Sequence, residues 1–112
     1  MEIDQIETFL AVGTFGGFHR AAQALRVSQP AVSARIKALE ESLGATLFTR
    51  SRAGLTLSEA GRILKPYAEQ LLRTASLARQ AVHELKPSSG GPLQIAAALS
   101  ISVYFLDRKS VV

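Results

Sequence analysis

Cysteine and tryptophan are absent from the chain, and the aromatic residues amount to five Phe and two Tyr. Without cysteine there is neither a disulfide framework nor a thiolate metal site, and a reducing compartment is permitted. Few aromatics beside 47% apolar residues argue for Ala- and Leu-rich helices over a strand-rich sandwich. A long hydrophobic run is missing too. The longest, Leu93 to Leu106, is interrupted by Gln94, Ser100 and Ser102 and is too short to cross a bilayer comfortably. Met1 is followed by Glu2 and Asp4, the reverse of the basic start and apolar run of a signal peptide, which favours a cytoplasmic protein. Signatures of catalysis are also lacking: there is no Gly-rich phosphate loop with its Lys and no G-x-S-x-G elbow. His19 and His83 have no Cys, second His or carboxylate cluster at metal-ligand spacing. A chain of 112 residues has room for one ordinary domain, or a small one with an appended element, and excludes a large two-lobed enzyme. The expectation is a non-enzyme without metal or cofactor.

What is present is a basic excess with a definite place. The formal net charge is +4, and between Gly17 and Arg62 seven cations (Arg20, Arg26, Arg35, Lys37, Arg50, Arg52, Arg62) face three anions (Glu40, Glu41, Glu59). The whole excess therefore lies in that stretch, which points to an anionic partner.

The same stretch carries the clearest local pattern. Asp4 followed by Glu7 reads as a capping-box-like start, and Ile6, Phe9 and Leu10 continue at helical spacing until Gly13 and the Gly16-Gly17 pair stop it. Phe18 to Leu25 predicts a short second helix with Phe18, Ala21, Ala22 and Leu25 on one face. After the break Arg26-Val27-Ser28, Ser28 can cap a third helix with Pro30 in its first turn, a buried stripe of Val32, Ile36, Leu39 and Leu43, and Gly44 as its stop. Helices two and three form a helix-turn-helix candidate. Leu47 to Arg50 and Leu55 to Leu57, around Ser51-Arg52-Ala53-Gly54, predict a two-stranded wing.

Ser58 then caps a helix expected over Glu59 to Lys86, about 28 residues. Pro66 is expected to bend it near the start. Along it Leu64, Ala68, Leu71, Ala75, Ala78, Val82 and Leu85 alternate steps of four and three, a seam that a partner helix would bury in a dimer. The segment 87–92, Pro-Ser-Ser-Gly-Gly-Pro, reads as a hinge, and Leu93-Gln94-Ile95-Ala96 restarts with strand alternation. Residues 93–112 are too few to close a core of their own. The expected architecture is mainly α: a winged helix-turn-helix over 1–58, a linker and dimerisation helix over 59–86, a hinge over 87–92 and the start of a further domain over 93–112.

With the third helix's apolar stripe turned inward, Pro30, Ser33, Ala34 and Lys37 point outward, flanked by Gln29 and Arg35. Small, polar and basic residues near a helix N-terminus suit a DNA major groove, where Gln can read adenine and Arg or Lys guanine. Gln29, Pro30, Ser33 and Arg35 are the candidates for base readout. Arg20, Ser28, Lys37, Arg50 and Arg52 are candidates for the DNA backbone, contacts that position without carrying sequence information.

Phe18-His19-Arg20-Ala21-Ala22, Val27-Ser28-Gln29-Pro30-Ala31-Val32-Ser33, Leu39-Glu40, Leu43-Gly44, Leu47-Phe48-Thr49-Arg50, Leu57-Ser58-Glu59-Ala60-Gly61 and Pro66-Tyr67-Ala68, in this order and spacing, closely resemble the N-terminal domain of LysR-type transcriptional regulators. The resemblance runs from about Ile3 to Leu106. It implies sequence-specific binding of double-stranded DNA, an antiparallel pairing of the long helix with that of a second subunit, and a small-molecule inducer sensed by a two-lobed periplasmic-binding-protein-like domain. Members often carry Arg where this chain has Ala34, Gln where it has Arg35, and a basic residue where it has Ala53. The likeness stops after Leu106, so a premature end, frameshift or junction is expected there. The competing class is a protein-interaction module whose winged helix is only scaffold. A membrane-surface helix ranks last, because the long helix mixes Lys and Arg with Glu and its apolar stripe is dominated by Ala.

Overall fold

The computed structural model describes residues 1–85, and the expectations for the hinge, for the segment after it and for Lys86 fall outside them. The chain divides into two compact units, Met1–Arg73 and Thr74–Val112. The first unit holds three helices, a two-stranded wing and the first part of a fourth helix. The described part of the second is the remainder of that helix and the turn after it.

Helix α1 spans Ile3–Phe15 and its N-cap is Glu2, whose backbone N–H donates to Gln5 Oε1 at 3.1 Å. The expected cap, Asp4 with Glu7, is corrected: Asp4 is already inside the first turn. A carboxylate there complements the helix dipole but is past the cap position. The expected stop at Gly13 is corrected, since α1 runs through it, and Gly16, at φ 75°, ends the helix.

Helix α2 spans Phe18–Leu25 and stops at Arg26, a non-glycine residue in the left-handed region at φ 59° and ψ 44°. Val27 N–H donates to Ala22 O at 3.1 Å across this corner, which aims the chain into helix α3, Gln29–Leu43. Ser28 Oγ accepts from Ala31 N–H at 3.2 Å, Pro30 occupies the first turn and Gly44, at φ 68°, closes the helix, all as the sequence predicts. Val32, Ile36 and Leu39 are buried, but Leu43 is exposed. The reversal at Gly44 brings the fully buried Leu47 into the core instead.

The wing pairs β1, Phe48–Ser51, antiparallel with β2, Gly54–Leu57, in the register Phe48 to Leu57 and Arg50 to Leu55. The hairpin starts one residue later than expected because both backbone groups of Leu47 are engaged elsewhere. Its N–H donates to Glu40 Oε2 at 2.7 Å and its carbonyl accepts from Ser58 N–H at 2.9 Å. The central turn residues are Arg52 and Ala53, neither with positive φ; Gly54, which follows them, carries it at φ 109°, as in a hairpin closed by a glycine bulge.

Helix α4 spans Glu59–His83. Ser58 Oγ accepts from Gly61 N–H at 3.0 Å and donates to Thr46 O at 2.7 Å, so one hydroxyl caps α4 and holds the base of the wing. The helix runs through Pro66 and ends before the expected Lys86, where Leu85 N–H reaches Val82 O at 3.1 Å in a tightened last turn. The core of the first unit gathers Ile6, Phe9 and Val12 from α1, Ala21 from α2, Val32, Ile36 and Leu39 from α3, Leu47, and Ala68 from α4. Phe48 fastens the wing to it, its ring centroid 5.5 Å from that of Phe9 and 6.3 Å from that of Phe18.

Candidate nucleic-acid interface

With Val32, Ile36 and Leu39 turned into the core, the helical period leaves Gln29, Pro30, Ser33, Ala34 and Lys37 on the outer face of α3, and all five are exposed. Gln29 is the first residue of the helix, so its amide projects from an end where backbone N–H groups have no helical partners. The Ser28 hydroxyl accepts the capping bond and keeps its own proton available for an outside acceptor.

The wing and the corner between α1 and α2 form the other wall. Arg20, in the first turn of α2, Gln29 and Arg50 of β1 line one open concavity of about 450 Å³, with Phe18 and Leu55 on its apolar side. Arg50 lies on the strand face shared with Phe48 and with its cross-strand neighbour Leu55, the face that Phe48 packs against Phe9 of α1 and Phe18 of α2. Arg52 sits exposed in the turn and is not part of that concavity. Among the described residues the ion pair joins Arg35 and Asp4. Arg20, Lys37, Arg50 and Arg52 have no carboxylate partner among the described residues, and their positive charges add to one another's field.

Arg35 departs from expectation. Instead of flanking the outer face, it is half-buried and turned back toward α1, its Nη1 3.5 Å from Thr8 Oγ1 and its Nε 3.8 Å from Asp4 Oδ2. It lies three residues after Val32 and four before Leu39, the spacing of the inward stripe. That spacing was the available signal.

The expected α4 seam is also corrected in its first part. Ala68 is 0% exposed within the chain's own core and Leu64 packs half-buried against it, so neither is presented to a partner. Exposed instead, one position earlier in the same turns, are Ile63 at 61% and Tyr67 at 63%. Leu71, Val82 and Leu85 are exposed as the seam requires, Ala78 is exposed and Ala75 half-buried.

Among the described residues, no helix is long and apolar enough to cross a membrane, and no group of three or more His, Asp or Glu is placed to hold a metal ion.

Residues 3–62 match the family described as "Bacterial regulatory helix-turn-helix protein, lysR family". The chain is 44% identical over 102 residues to the HTH-type transcriptional regulator HdfR of Yersinia pestis, an alignment covering 90% of this chain and 34% of the relative. It thus spans about a third of the length of the curated relatives it matches. Among solved structures it resembles the CbnR_DBD-DNA complex with a TM-score of 0.69 at 35% identity, covering 74% of this chain and 95% of that one. It resembles the BenM_DBD/catB site 1 DNA complex with a TM-score of 0.73 at 30% identity, covering 81% and 99%.

Proposed function

Since this chain belongs to the lysR family of bacterial regulatory helix-turn-helix proteins, we propose that it binds double-stranded DNA sequence-specifically and thereby regulates transcription in the cytoplasm, without enzymatic activity. One observation carries the reading. An exposed, small and polar face at the start of α3 stands beside a concavity that Gln29 lines together with Arg20 and Arg50. The CbnR_DBD and BenM_DBD chains of the two DNA complexes named above match nearly the whole of their own length to this chain.

In this reading α3 enters the major groove with Gln29, Pro30 and Ser33 toward base edges. Arg20, Ser28, Lys37, Arg50 and Arg52 hold phosphates, Arg50 from the concave face of the wing and Arg52 from its tip. Residues 1–58 form the DNA-binding domain and α4, Glu59–His83, the linker helix. A small-molecule inducer acts through an effector domain of which 93–112 is the start. A titration of a labelled mixed-sequence duplex, followed by fluorescence anisotropy across a salt series, tests the reading. Log affinity is expected to fall linearly with log salt, by nearly one unit of slope per phosphate held. An affinity indifferent to salt, or no binding by the folded chain, contradicts it.

The wing has its own expected outcome. Arg50→Ala with Arg52→Ala weakens binding to every duplex by a similar factor and reduces the salt slope by about two, leaving base preference unchanged. A change of preferred sequence in the same titration would instead make the wing a reader of bases.

Dimerisation belongs to the same proposal. Ile63, Tyr67, Leu71, Ala78 and Val82 recur at the helical spacing of one α4 face and are exposed, as is Leu85 in the turn after it, leaving an apolar stripe that a second α4 would cover. Tyr67→Glu places a charge in that stripe without touching the core, since Tyr67 is largely in solvent. Sedimentation velocity is expected to show a dimer for the unchanged chain and a monomer for the variant. A dimer unaffected by Tyr67→Glu removes this face from the interface.

A further inference from the structure

The only buried polar residue of the described core is Thr8, and its surroundings define a second role for an arginine. The Thr8 hydroxyl donates to Asp4 O at 2.7 Å, so its proton is committed and its oxygen needs a donor that is not water. Arg35 Nη1 is that donor, at 3.5 Å, while its Nε lies 3.8 Å from Asp4 Oδ2. One guanidinium thus spans from the middle of α3 to the first and second turns of α1, on the side opposite the outward Ser33 and Lys37.

We propose that Arg35 is a positioning residue: with Asp4 and Thr8 it latches the middle of α3 to α1 and so fixes the angle at which the outer face of α3 meets DNA. The inference rests on the DNA-binding reading above and adds to it a determinant of specificity that touches no base. Base-edge hydrogen bonds require placement to within about half an ångström, whereas phosphate contacts from Arg and Lys tolerate adjustment of long side chains. A loosened latch therefore costs discrimination before it costs general affinity. The hydrophobic contacts of Val32, Ile36 and Leu39 hold α3 to the core but are non-directional. The guanidinium, with its fixed fork of donors, adds direction.

The test compares the unchanged chain with Asp4→Asn, Arg35→Gln and the double variant, on the best duplex from an in vitro selection and on a scrambled duplex, well below the melting temperature of each protein. Either single change is expected to reduce the affinity ratio of selected to scrambled duplex by roughly threefold to tenfold, in the lower part of the range of couplings within one hydrogen-bond network. The loss spreads over all positions of the site, the double variant is no worse than the singles, and binding to the scrambled duplex keeps its affinity and salt slope. If Arg35→Gln relaxes preference at one base pair while Asp4→Asn discriminates like the unchanged chain, Arg35 reads a base and the latch is overturned. If both single variants keep the full ratio, or lose only thermal stability, the latch is overturned and DNA binding stands. If the unchanged chain has no preference between the duplexes, sequence-specific binding fails, and the latch's role in it fails with it.

Discussion

Gly61→Ala is expected to lower the melting temperature of the chain by about 10 °C, while Gly13→Ala raises it by a few degrees. Both glycines sit inside helices, α4 and α1, where alanine is ordinarily worth about 1 kcal/mol. Their surroundings decide the sign. A Cβ at Gly13 would meet nothing closer than Leu57 Cδ2 at 3.9 Å, an ordinary contact. A Cβ at Gly61 would collide with the backbone oxygen of Leu47 and lie 3.0 Å from Leu57 Cδ2. That oxygen is not free to retreat, because it accepts from Ser58 N–H at 2.9 Å, and the N–H of the same residue, Leu47, is held by Glu40. Moving α4 away would also open the contact at Ala68, which is fully enclosed. Overpacking of about 3 kcal/mol, offset by about 1 from helix propensity, leaves a net loss near 2 kcal/mol, which for a domain of this size is about 10 °C. Thermal unfolding followed by circular dichroism reads both variants, and a neutral or stabilising Gly61→Ala would show that α4 does not approach Leu47 so closely.

The second large effect is on recognition. Gln29→Ala is expected to relax base preference at one position of the selected site by about tenfold or more, the scale of a lost bidentate contact to adenine, without shifting the melting temperature. Gln29 is exposed and caps nothing, so truncation removes no folded-state contact of consequence. Ser33→Ala, one turn further along the same exposed face, is expected to act at a neighbouring position with a smaller effect, since a hydroxyl makes one such bond where an amide makes two. Quantitative binding to a panel of single-base variants of the selected duplex separates these outcomes from the uniform weakening expected of Arg50→Ala and Arg52→Ala. A uniform loss from Gln29→Ala would move that residue to the phosphate contacts.

The parts of the fold legible in the sequence are those governed by residues a few positions apart. Ser28, Pro30 and Gly44 delimit α3 through local capping and φ preferences, and the bounds of α2 follow from Gly17 before it and the left-handed Arg26 after it. Contacts between distant residues were less accessible. Glu40 and Ser58 take the two backbone groups of Leu47, delaying the hairpin by a residue that strand alternation alone would include. The heptad reading of α4 merged two faces. Gly61, Leu64, Ala68 and Leu72 form a stripe turned to the chain's own core, and Ile63, Tyr67 and Leu71 form the adjacent exposed one. Small residues at Gly61 and Ala68 were the sign that the first stripe approaches a backbone. Local spacing suggests a cap at Asp4, which serves instead as Arg35's partner, because pairing across 31 positions leaves no mark on local periodicity. The charge of Arg35 suggests an outward side chain, whereas its spacing from Val32 and Leu39 turns it inward.

Selection of preferred duplexes from a random pool by the purified chain, followed by a salt titration of the winners against a scrambled control, addresses the central claim most directly. The account predicts a selected site favoured by about a thousandfold or more over the control, with the preference held across the salt range while both affinities fall. Equal affinity for winners and control, however steep the salt dependence, would leave only the phosphate contacts of Arg20, Lys37, Arg50 and Arg52 and contradict base readout by α3.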